Sequence, residues 1–474
     1  LLYGRTYANV FSEATKGVSK VITRGDFETR SEVDIGLGLY HYTHGQDSDV
    51  LCFAYRIDDQ HIELWRPGMP NPQALFDAIE AGSKFSAWNC MFEWHIWNYI
   101  CVPQYGWPEL KVESCIDAMA QAAAMNLPQS LGPCAIALGL PSDQQKDKRG
   151  KELIRKLCIP QALTKTRKEI WNNDPVLLQE LYDYCVQDVV TEEAIVKQLR
   201  PLSAHEQNVW VATQHINLRG LPVEVNEIKA TVSIVEQEKE RLNDELKHLT
   251  QYAVTAASQR SQLERWVNER LPSPLPDFTA DTVEAALKKD LPREVRRALE
   301  IRSHVSQTST SKHEVLLESA CPDGTVKGLL VYHGASTGRW ASRGGLNAQN
   351  LPRPSMCQLD IESAHNVLAT GDHDHALLLF GDRVMDAAVS TVRGVIKAPA
   401  GHEFIDADWS SVENRMGSWI AGQLDKVDMF ASGLDEYKVF ASQSLYNIPY
   451  SEVTKDQRQV SKSAVLGCFA AETP

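Results

Sequence analysis

The chain has 474 residues, of which 43% are hydrophobic, and its formal net charge is −14. This length is too great for a single hydrophobic core, so we expect roughly two to four domains. The negative charge excludes a generally basic nucleic-acid coat, and without an apolar run of about 18 residues or a signal peptide we expect a cytoplasmic protein with no membrane partner. The ten cysteines lack a C-x-x-C pair, which indicates neither a zinc site nor a disulfide framework.

In the first 200 residues, the sequence pattern predicts a lead segment, residues 1–24, and then an α/β domain with a mixed sheet, residues 25–200. Runs of β-branched and aromatic residues between Gly25 and Pro67 predict strands, and the stretch DIGLGLYHYT, residues 34–43, is included among them. Helices are predicted for NPQALFDAIEAG and for the segment from Phe92 to Cys101.

The pattern changes after residue 200. Residues 201–225 begin a second part, and residues 226–320 are predicted to be helical and elongated because EIKATVSIVEQEKERLNDELKHL is a long charged helix. In residues 321–474, a Gly- and Arg-rich stretch precedes renewed α/β patterning in HEFIDADWSSVENRMGSWIAG.

Two carboxylates lie side by side in GDFETR. Because side chains alternate along a strand, Asp26 and Glu28 project from one face while Phe27 enters the core. Their mutual repulsion would be removed by a divalent cation. By itself, D-x-E is more often a solvated strand edge than a metal site.

Two further segments add acids and a tyrosine. In AWNCMFEW, Glu93 begins a helix just after an apolar strand, and in LYDYCVQDVV, Tyr184 and Asp188 share a helix face at i and i+4. Each also has a structural explanation, since an acid is favoured in the first turn of a helix and a tyrosine packs on an amphipathic face. The three segments in this order are harder to explain by packing alone.

The set resembles the 3′–5′ exonuclease domain of family A DNA polymerases, which is ribonuclease H-like. That family has D-x-E on a strand, then an Asn with an acid four residues on, then Y-x-x-x-D; the matching pairs here are Asp26/Glu28, Asn89/Glu93 and Tyr184/Asp188. The second motif commonly ends in Asp, so Glu93 is a departure by one methylene.

The resemblance implies two Mg²⁺ or Mn²⁺ ions per active site and a role for each residue. Asp26 would bridge the ions, Glu28 and Asp188 would complete one metal site, and Glu93 would hold the other. Tyr184 would orient the attacking water, because a phenol near pH 10 is a poor general base. Asn89 would bind DNA.

A later segment, STGRWASRGGLNAQNLPR, resembles the T-G-R…Q-N-L-P stretch of the same family. The resemblance implies that Arg339, Gln349 and Asn350 lie against the minor groove of the primer and template. Minor-groove acceptors occur on every base pair, so such contacts sense pairing without reading sequence. The alternative is a Gly-rich surface loop.

The segment FIDADWSSVENR resembles the family motif that carries the first catalytic aspartate, a metal ligand. The family spacing D-[YW]-S-x-x-E-x-R assigns this aspartate to Asp408, at the end of a predicted strand, and Asp406 is the alternative. Glu413 matches the glutamate that closes off the sugar 2′ position and so implies deoxynucleotides; its alternative is a first-turn acid.

The stretch RQVSK resembles the fingers helix of the family. Arg458 and Lys462, at i and i+4, would grip the incoming triphosphate, and Leu466 matches an aromatic or Leu position. Alone, R-x-x-x-K is more often a solvated helix face.

Six motifs in family order imply an α/β multidomain protein: a ribonuclease H-like exonuclease domain followed by an incomplete right-hand polymerase domain, with a helical thumb-like region, 226–320, and partial palm and fingers, 321–474. The implied activity is template-directed DNA synthesis with proofreading in replication or repair, in a phage-type branch. The implied partners are primer-template DNA, a single-stranded 3′ end and deoxynucleoside triphosphates, while any processivity factor is unidentified.

The family segment with the second catalytic aspartate, usually His-Asp-Glu, is expected beyond residue 474. We therefore expect this chain to digest 3′ ends in Mg²⁺ but not to extend primers. Two alternatives stay open: a dedicated DEDD-type exonuclease acting on DNA or RNA with a duplex-holding remnant of a polymerase, and a non-catalytic DNA-binding remnant.

Overall fold

The computed structural model of the chain describes residues 22–145, 149–164, 167–306, 310–342 and 346–470. The predicted lead segment, 1–24, therefore lies almost entirely outside the described residues. The chain divides after Pro399, so that the residues before this point form one compact unit and those from Ala400 form another.

The first unit begins with a five-stranded mixed sheet, as predicted. Its strands are β1 (Ile22–Arg30), β2 (Asp49–Ile57), β3 (Glu63–Trp65), β4 (Lys84–Ala87) and β5 (Cys115–Asp117). They lie in the order β3-β2-β1-β4-β5. The central strand β1 pairs antiparallel with β2 and parallel with β4, and its register with β2 shifts just after Glu28. The shift gives this end of β1 a local irregularity beside the predicted acidic residues.

Helices cover this sheet. They are α1 (Leu39–Thr43), α2 (Gln73–Glu80), α3 (Met91–Ile96), α4 (Val102–Tyr105), α5 (Ala118–Ala124), α6 (Leu131–Ala137), α7 (Gly150–Leu157) and α8 (Pro175–Val196). As predicted, Phe27 enters the core, where its ring stacks on Phe53 at a centroid distance of 4.1 Å. The long helix α8 begins where the Asp174 carboxylate accepts hydrogen bonds from two backbone amides, with Pro175 in its first turn.

The predicted strand in residues 34–43 is wrong. The segment forms a 3₁₀ turn, Ile35–Leu37, and then α1. The Asp34 carboxylate accepts a hydrogen bond from the Gly36 amide at 2.7 Å, and Gly38 takes a φ of 104°. Local turn chemistry therefore overrides the alternating pattern, because an Asp cap and a glycine at positive φ both favour a turn.

The rest of the first unit, including residues 226–320, is mostly helical. Its helices are α9 (Ala204–Arg219), α10 (Val225–Leu249), α11 (Arg260–Asn268), α12 (Ala280–Leu287), α13 (Arg293–Val305), α14 (Ser311–Ser319), α15 (Gln358–Leu368), α16 (His373–Phe380) and α17 (Val384–Thr391). Two short antiparallel pairs interrupt them: β6 (Leu221–Pro222) with β7 (Thr325–Val326), and β8 (Leu330–Val331) with β9 (Ala341–Ser342).

The second unit is helical in its described residues. It contains α18 (Val412–Ile420), α19 (Leu424–Ala431), α20 (Glu436–Phe440) and α21 (Lys455–Ala470). The strand predicted to end at Asp408 is wrong, because residues 402–409 have no regular structure and are exposed. A strand requires a hydrogen-bonding neighbour, and the described part of this unit contains no strand that could pair with the segment.

Among the described residues, no helix has the length and apolar character that crossing a membrane requires.

Candidate active site

Three acidic side chains from distant parts of the sequence meet at the centre of the sheet. Asp26 and Glu28 project from β1, and Asp188 projects from α8, which packs across β1 and β2. One carboxylate oxygen of each residue lies within 4.8 Å of the other two. Oxygen donors at this spacing fit a hard divalent cation such as Mg²⁺ or Mn²⁺.

Burial strengthens the case for a cation. Glu28 and Asp188 are 8% and 4% exposed, and Asp26 is half-buried. Three carboxylates this close repel one another more strongly where water is excluded, and a bound divalent cation would neutralise most of that charge. The donor set therefore fits the metal that the sequence predicted.

Glu93 lies beside this group but outside the trio. It is 2% exposed on α3, and its Oε2 atom is buried without a hydrogen-bond partner among the described residues. Burial, followed by the charge of Asp26, raises the pKa of Glu93 well above its usual range. A cation bound by Glu93 would stabilise its charged form and offset the repulsion by Asp26, which fits a second metal position.

Tyr184 lies one helical turn from Asp188, as predicted. The ring is 2% exposed, and burial together with the nearby charge of Asp188 raises the pKa of the phenol. Tyr184 therefore keeps its proton and can donate a hydrogen bond, but it cannot act as a base near neutral pH.

Gly150, the first residue of α7, packs directly against the Tyr184 ring. A Cβ atom at position 150 would overlap three atoms of that ring, including the hydroxyl oxygen. The apolar face of α7, with Leu153 and Leu157, packs in the same cluster as Tyr184. Helix α7 is thus an amphipathic helix whose apolar face supports the tyrosine.

Two cysteines complete the surroundings of the acidic group. The Cys185 thiol donates to the backbone oxygen of Asp26 at 3.1 Å, and the Cys158 sulfur lies 4.0 Å from the Glu28 Oε2 atom. Burial raises the pKa of both thiols, so they stay protonated. They connect α8 and the end of α7 to β1.

Asn89 lies in the turn just before α3. It takes a positive φ of 61°, and its backbone amide donates to the Asp117 carboxylate at 3.1 Å. Burial raises the pKa of Asp117 to about 6. Asn89, Phe92 and Asp117 are among the residues that line a largely apolar cavity of about 350 Å³.

Two of the predicted DNA contacts lie close together in the first unit. Arg339 and Gln349 are exposed, and the Gln349 amide donates to the backbone oxygen of Trp340 at 2.9 Å. Asn350 ends a 3₁₀ turn whose backbone is held by the Asn347 side chain. The hydrogen bond from Gln349 to Trp340 therefore brings the two halves of the T-G-R…Q-N motif together.

The predicted nucleotide-site residues belong to the second unit. Asp408 is exposed on the irregular segment, and Glu413 lies in the first turn of α18. Arg458 and Lys462 share one face of α21, where their cationic groups lie 5.1 and 6.0 Å from the Tyr437 ring centroid. The half-buried Leu466 follows one turn later on α21.

The Arg458 side chain also has an acidic partner. Its Nε atom donates to Asp435 at 2.7 Å. A triphosphate at this position would therefore compete with the Asp435 carboxylate for the guanidinium.

Sequence analysis missed Gly150, Cys158 and Asp117 as neighbours of the site. A glycine or a cysteine has no local pattern that indicates such a contact. Asp117 did have one signal, since an Asp just before an alanine-rich helix is a favoured N-cap.

The profile of DNA polymerase family A matches residues 226–470. The chain is also 31% identical over 455 residues to a DNA polymerase of Bacillus phage SP02, an alignment that spans 93% of this chain and 68% of that protein. The chain belongs to DNA polymerase family A. The family resemblance seen in the sequence is therefore confirmed. Members of this family are template-directed DNA polymerases that use divalent metals.

A solved structure gives the same fold for most of this polymerase. It is the POL domain of Pol1 from M. smegmatis in complex with DNA primer-template and dNTP, with a TM-score of 0.54 and 16% identity. The similarity covers 95% of this chain and 68% of that one. At this identity the match concerns the fold of the polymerase alone.

Proposed function

We propose that this family A polymerase contains a 3′–5′ proofreading exonuclease in residues 25–200. The observation that supports it best is the convergence of Asp26, Glu28 and Asp188 within 4.8 Å of one another, beside the buried Tyr184. The strand order β3-β2-β1-β4-β5, with only β2 running antiparallel to the other four strands of this sheet, supports a ribonuclease H-like fold for this part.

The four carboxylates would hold two divalent cations. Asp26 belongs to the trio with Glu28 and Asp188, and its charge is one cause of the raised pKa of Glu93, so Asp26 is the residue that would bind both ions. When bound, such ions supply a hydroxide at neutral pH and stabilise charge on the leaving 3′-oxygen. The protonated Tyr184 orients the attacking water through its hydroxyl group.

The cavity beside Asn89 suits the unpaired 3′ end of a DNA strand. Its walls are largely apolar, and it includes aromatic side chains on which bases can stack. Base stacking does not depend on sequence, as proofreading requires. A frayed end enters such a cavity more readily than a paired one, because pairing must be broken first.

The remaining predicted residues are proposed for DNA synthesis. Arg339, Gln349 and Asn350 would contact the minor groove of the primer and template, and Asp408 would hold a catalytic metal. For the nucleotide we propose a second set of contacts, in which Glu413 selects deoxyribose, Leu466 packs nearby, and the triphosphate is held by Arg458 and Lys462.

A digestion assay tests the exonuclease. With a 5′-labelled single-stranded oligonucleotide and Mg²⁺ or Mn²⁺, the purified chain is expected to give products shortened stepwise from the 3′ end. EDTA is expected to stop the reaction, because the carboxylates alone cannot generate hydroxide at neutral pH. A chain that leaves the oligonucleotide intact in both metals would refute the proposal.

Replacing Gly150 with alanine tests the placement of Tyr184. The new Cβ atom forces the buried ring to move, so the rate of digestion is expected to fall by about 10- to 100-fold, as when a group is misplaced by about 1 Å. Gly467→Ala on α21, at a glycine of ordinary backbone conformation whose added Cβ meets no atom within 4 Å, is the control for a glycine-to-alanine change outside residues 25–200. An unchanged rate in Gly150→Ala would show that the position of Tyr184 does not matter.

A further inference from the structure

Helix α9 contacts both proposed DNA sites of the first unit. On one side it meets Asp117, whose carboxylate accepts hydrogen bonds from the Asn89 amide at 3.1 Å and from the Trp210 indole at 3.3 Å. Trp210 is 1% exposed and Asp117 is 5% exposed, so water does not compete for these bonds. The turn that presents Asn89 is thereby fixed to α9.

A second contact joins α9 to the same part of the sheet. The Gln207 side chain donates to the backbone oxygen of Cys115 on β5 at 3.0 Å. With Trp210 one turn further on, two successive positions of α9 hold the end of β5. The helix therefore cannot rotate freely against the sheet.

One turn further along α9, Thr213 contacts the hairpin of β8 and β9. The Trp340 indole donates to the Thr213 hydroxyl at 3.1 Å, and the backbone oxygen of the same Trp340 accepts from Gln349 at 2.9 Å. Trp340 follows Arg339 directly in the chain. Trp340 thus links α9 to the residues proposed to contact the minor groove.

Two further pairs fix the hairpin to α9. Asn217 and Leu330 exchange two hydrogen bonds of 2.8 Å through the Asn217 amide, and the Tyr332 hydroxyl donates to Glu206 at 2.5 Å. These contacts span the helix from its first turn to its last. The hairpin is held by side chains along the whole length of α9.

We propose that α9 is a positioning element that holds the DNA-contacting hairpin in fixed register with the Asn89 turn, and that Thr213 and Asp117 are its positioning residues. A duplex held by the hairpin keeps its paired 3′ end away from the cavity beside Asn89, whereas a frayed end can reach it. This inference rests on the proposed exonuclease. It adds a structural explanation of how the pairing of the 3′ end affects access to that site.

Thr213→Val tests the proposal because it removes the acceptor for Trp340 while nearly keeping the shape of a side chain that is 2% exposed. Binding is measured by fluorescence anisotropy with a primer-template duplex and with a single-stranded oligonucleotide. The dissociation constant for the duplex is expected to rise roughly two- to tenfold, the effect of one net hydrogen bond. Affinity for the single strand and the rate of its digestion are expected to stay unchanged.

A second readout compares digestion of a mispaired and a paired 3′ end. The wild-type ratio of the two rates is expected to fall by a similar factor in Thr213→Val, because a loosely held duplex frays more often. The matched control is Thr231→Val on α10, whose buried hydroxyl has no hydrogen-bond partner among the described residues. If Thr213→Val does not fold, Trp340→Phe removes the donor at a side chain that is 40% exposed.

The outcomes separate the two proposals. Unchanged duplex affinity and an unchanged ratio of rates would overturn the role of α9, as would an equal loss of affinity for duplex and single strand. A wild-type chain without digestion would overturn the exonuclease instead, while the duplex measurement would still test the hydrogen bond between α9 and the hairpin.

Discussion

Asp26→Ala is expected to abolish 3′–5′ digestion. Asp26 lies within 4.8 Å of the other two acids of the trio and its charge acts on Glu93, so its loss would remove a ligand from each proposed metal position. We expect the rate to fall on the order of 10³-fold, which corresponds to about 4 kcal/mol of transition-state stabilisation. The measurement is the initial rate of digestion of a labelled single strand in saturating Mg²⁺.

The control for Asp26→Ala is Asp183→Ala on α8. Asp183 precedes Tyr184, yet it is exposed and its carboxylate accepts a hydrogen bond from Gln179 at 2.9 Å. This substitution is expected to leave the rate nearly unchanged. Circular dichroism should show that both variants fold, since removing a charge from a repelling group costs the fold little. Digestion by Asp26→Ala at the wild-type rate would refute the assignment of the site.

Arg241→Met is expected to produce the largest loss of stability. Its guanidinium makes two hydrogen bonds of 2.8 Å to Glu238, a residue of α10 that is 0% exposed, and His373 of α16 makes a third at 2.9 Å. Methionine keeps much of the apolar stem but leaves a buried carboxylate poorly compensated. The free energy of unfolding is expected to fall by about 3 kcal/mol.

Lys288→Met is the matched control, because it breaks the ion pair with Glu284 on α12. The two side chains are 72% and 70% exposed, so the free energy of unfolding is expected to fall by less than about 0.5 kcal/mol. The urea midpoint at constant slope measures both variants. Equal midpoints for Arg241→Met and Lys288→Met would show that the buried pair does not stabilise the fold.

Local sequence patterns predicted much of the candidate site. A period of two placed Asp26 and Glu28 on one face of a strand, and i,i+4 spacing placed Tyr184 and Asp188 on one face of a helix. Both arrangements depend only on residues that are close in the sequence and on the local secondary structure, so they are nearly independent of the fold. The first motif lies about 155 residues before the third and the second motif about 90 residues before it, so their meeting could be expected only from the family resemblance.

Patterns failed where structure depends on a partner. Residues 402–409 have strand-like composition but no neighbouring strand among the described residues, and residues 34–43 alternate like a strand but contain an Asp cap and glycines. The overlap between a Cβ at position 150 and Tyr184 is likewise invisible in the sequence. Each case requires the position of a group far away in the chain.

By itself, the sequence determined the polymerase family, the helical middle region and the residue types of the acidic site, because these follow from motif order, periodicity and spacing. Only the tertiary structure decided that three carboxylates converge, that the Oε2 atom of Glu93 is buried without a hydrogen-bond partner among the described residues, and that α9 joins the Asn89 turn to the hairpin of β8 and β9. The physical reason is that repulsion, burial and hydrogen bonding act over a few ångströms in space, whatever the separation along the chain.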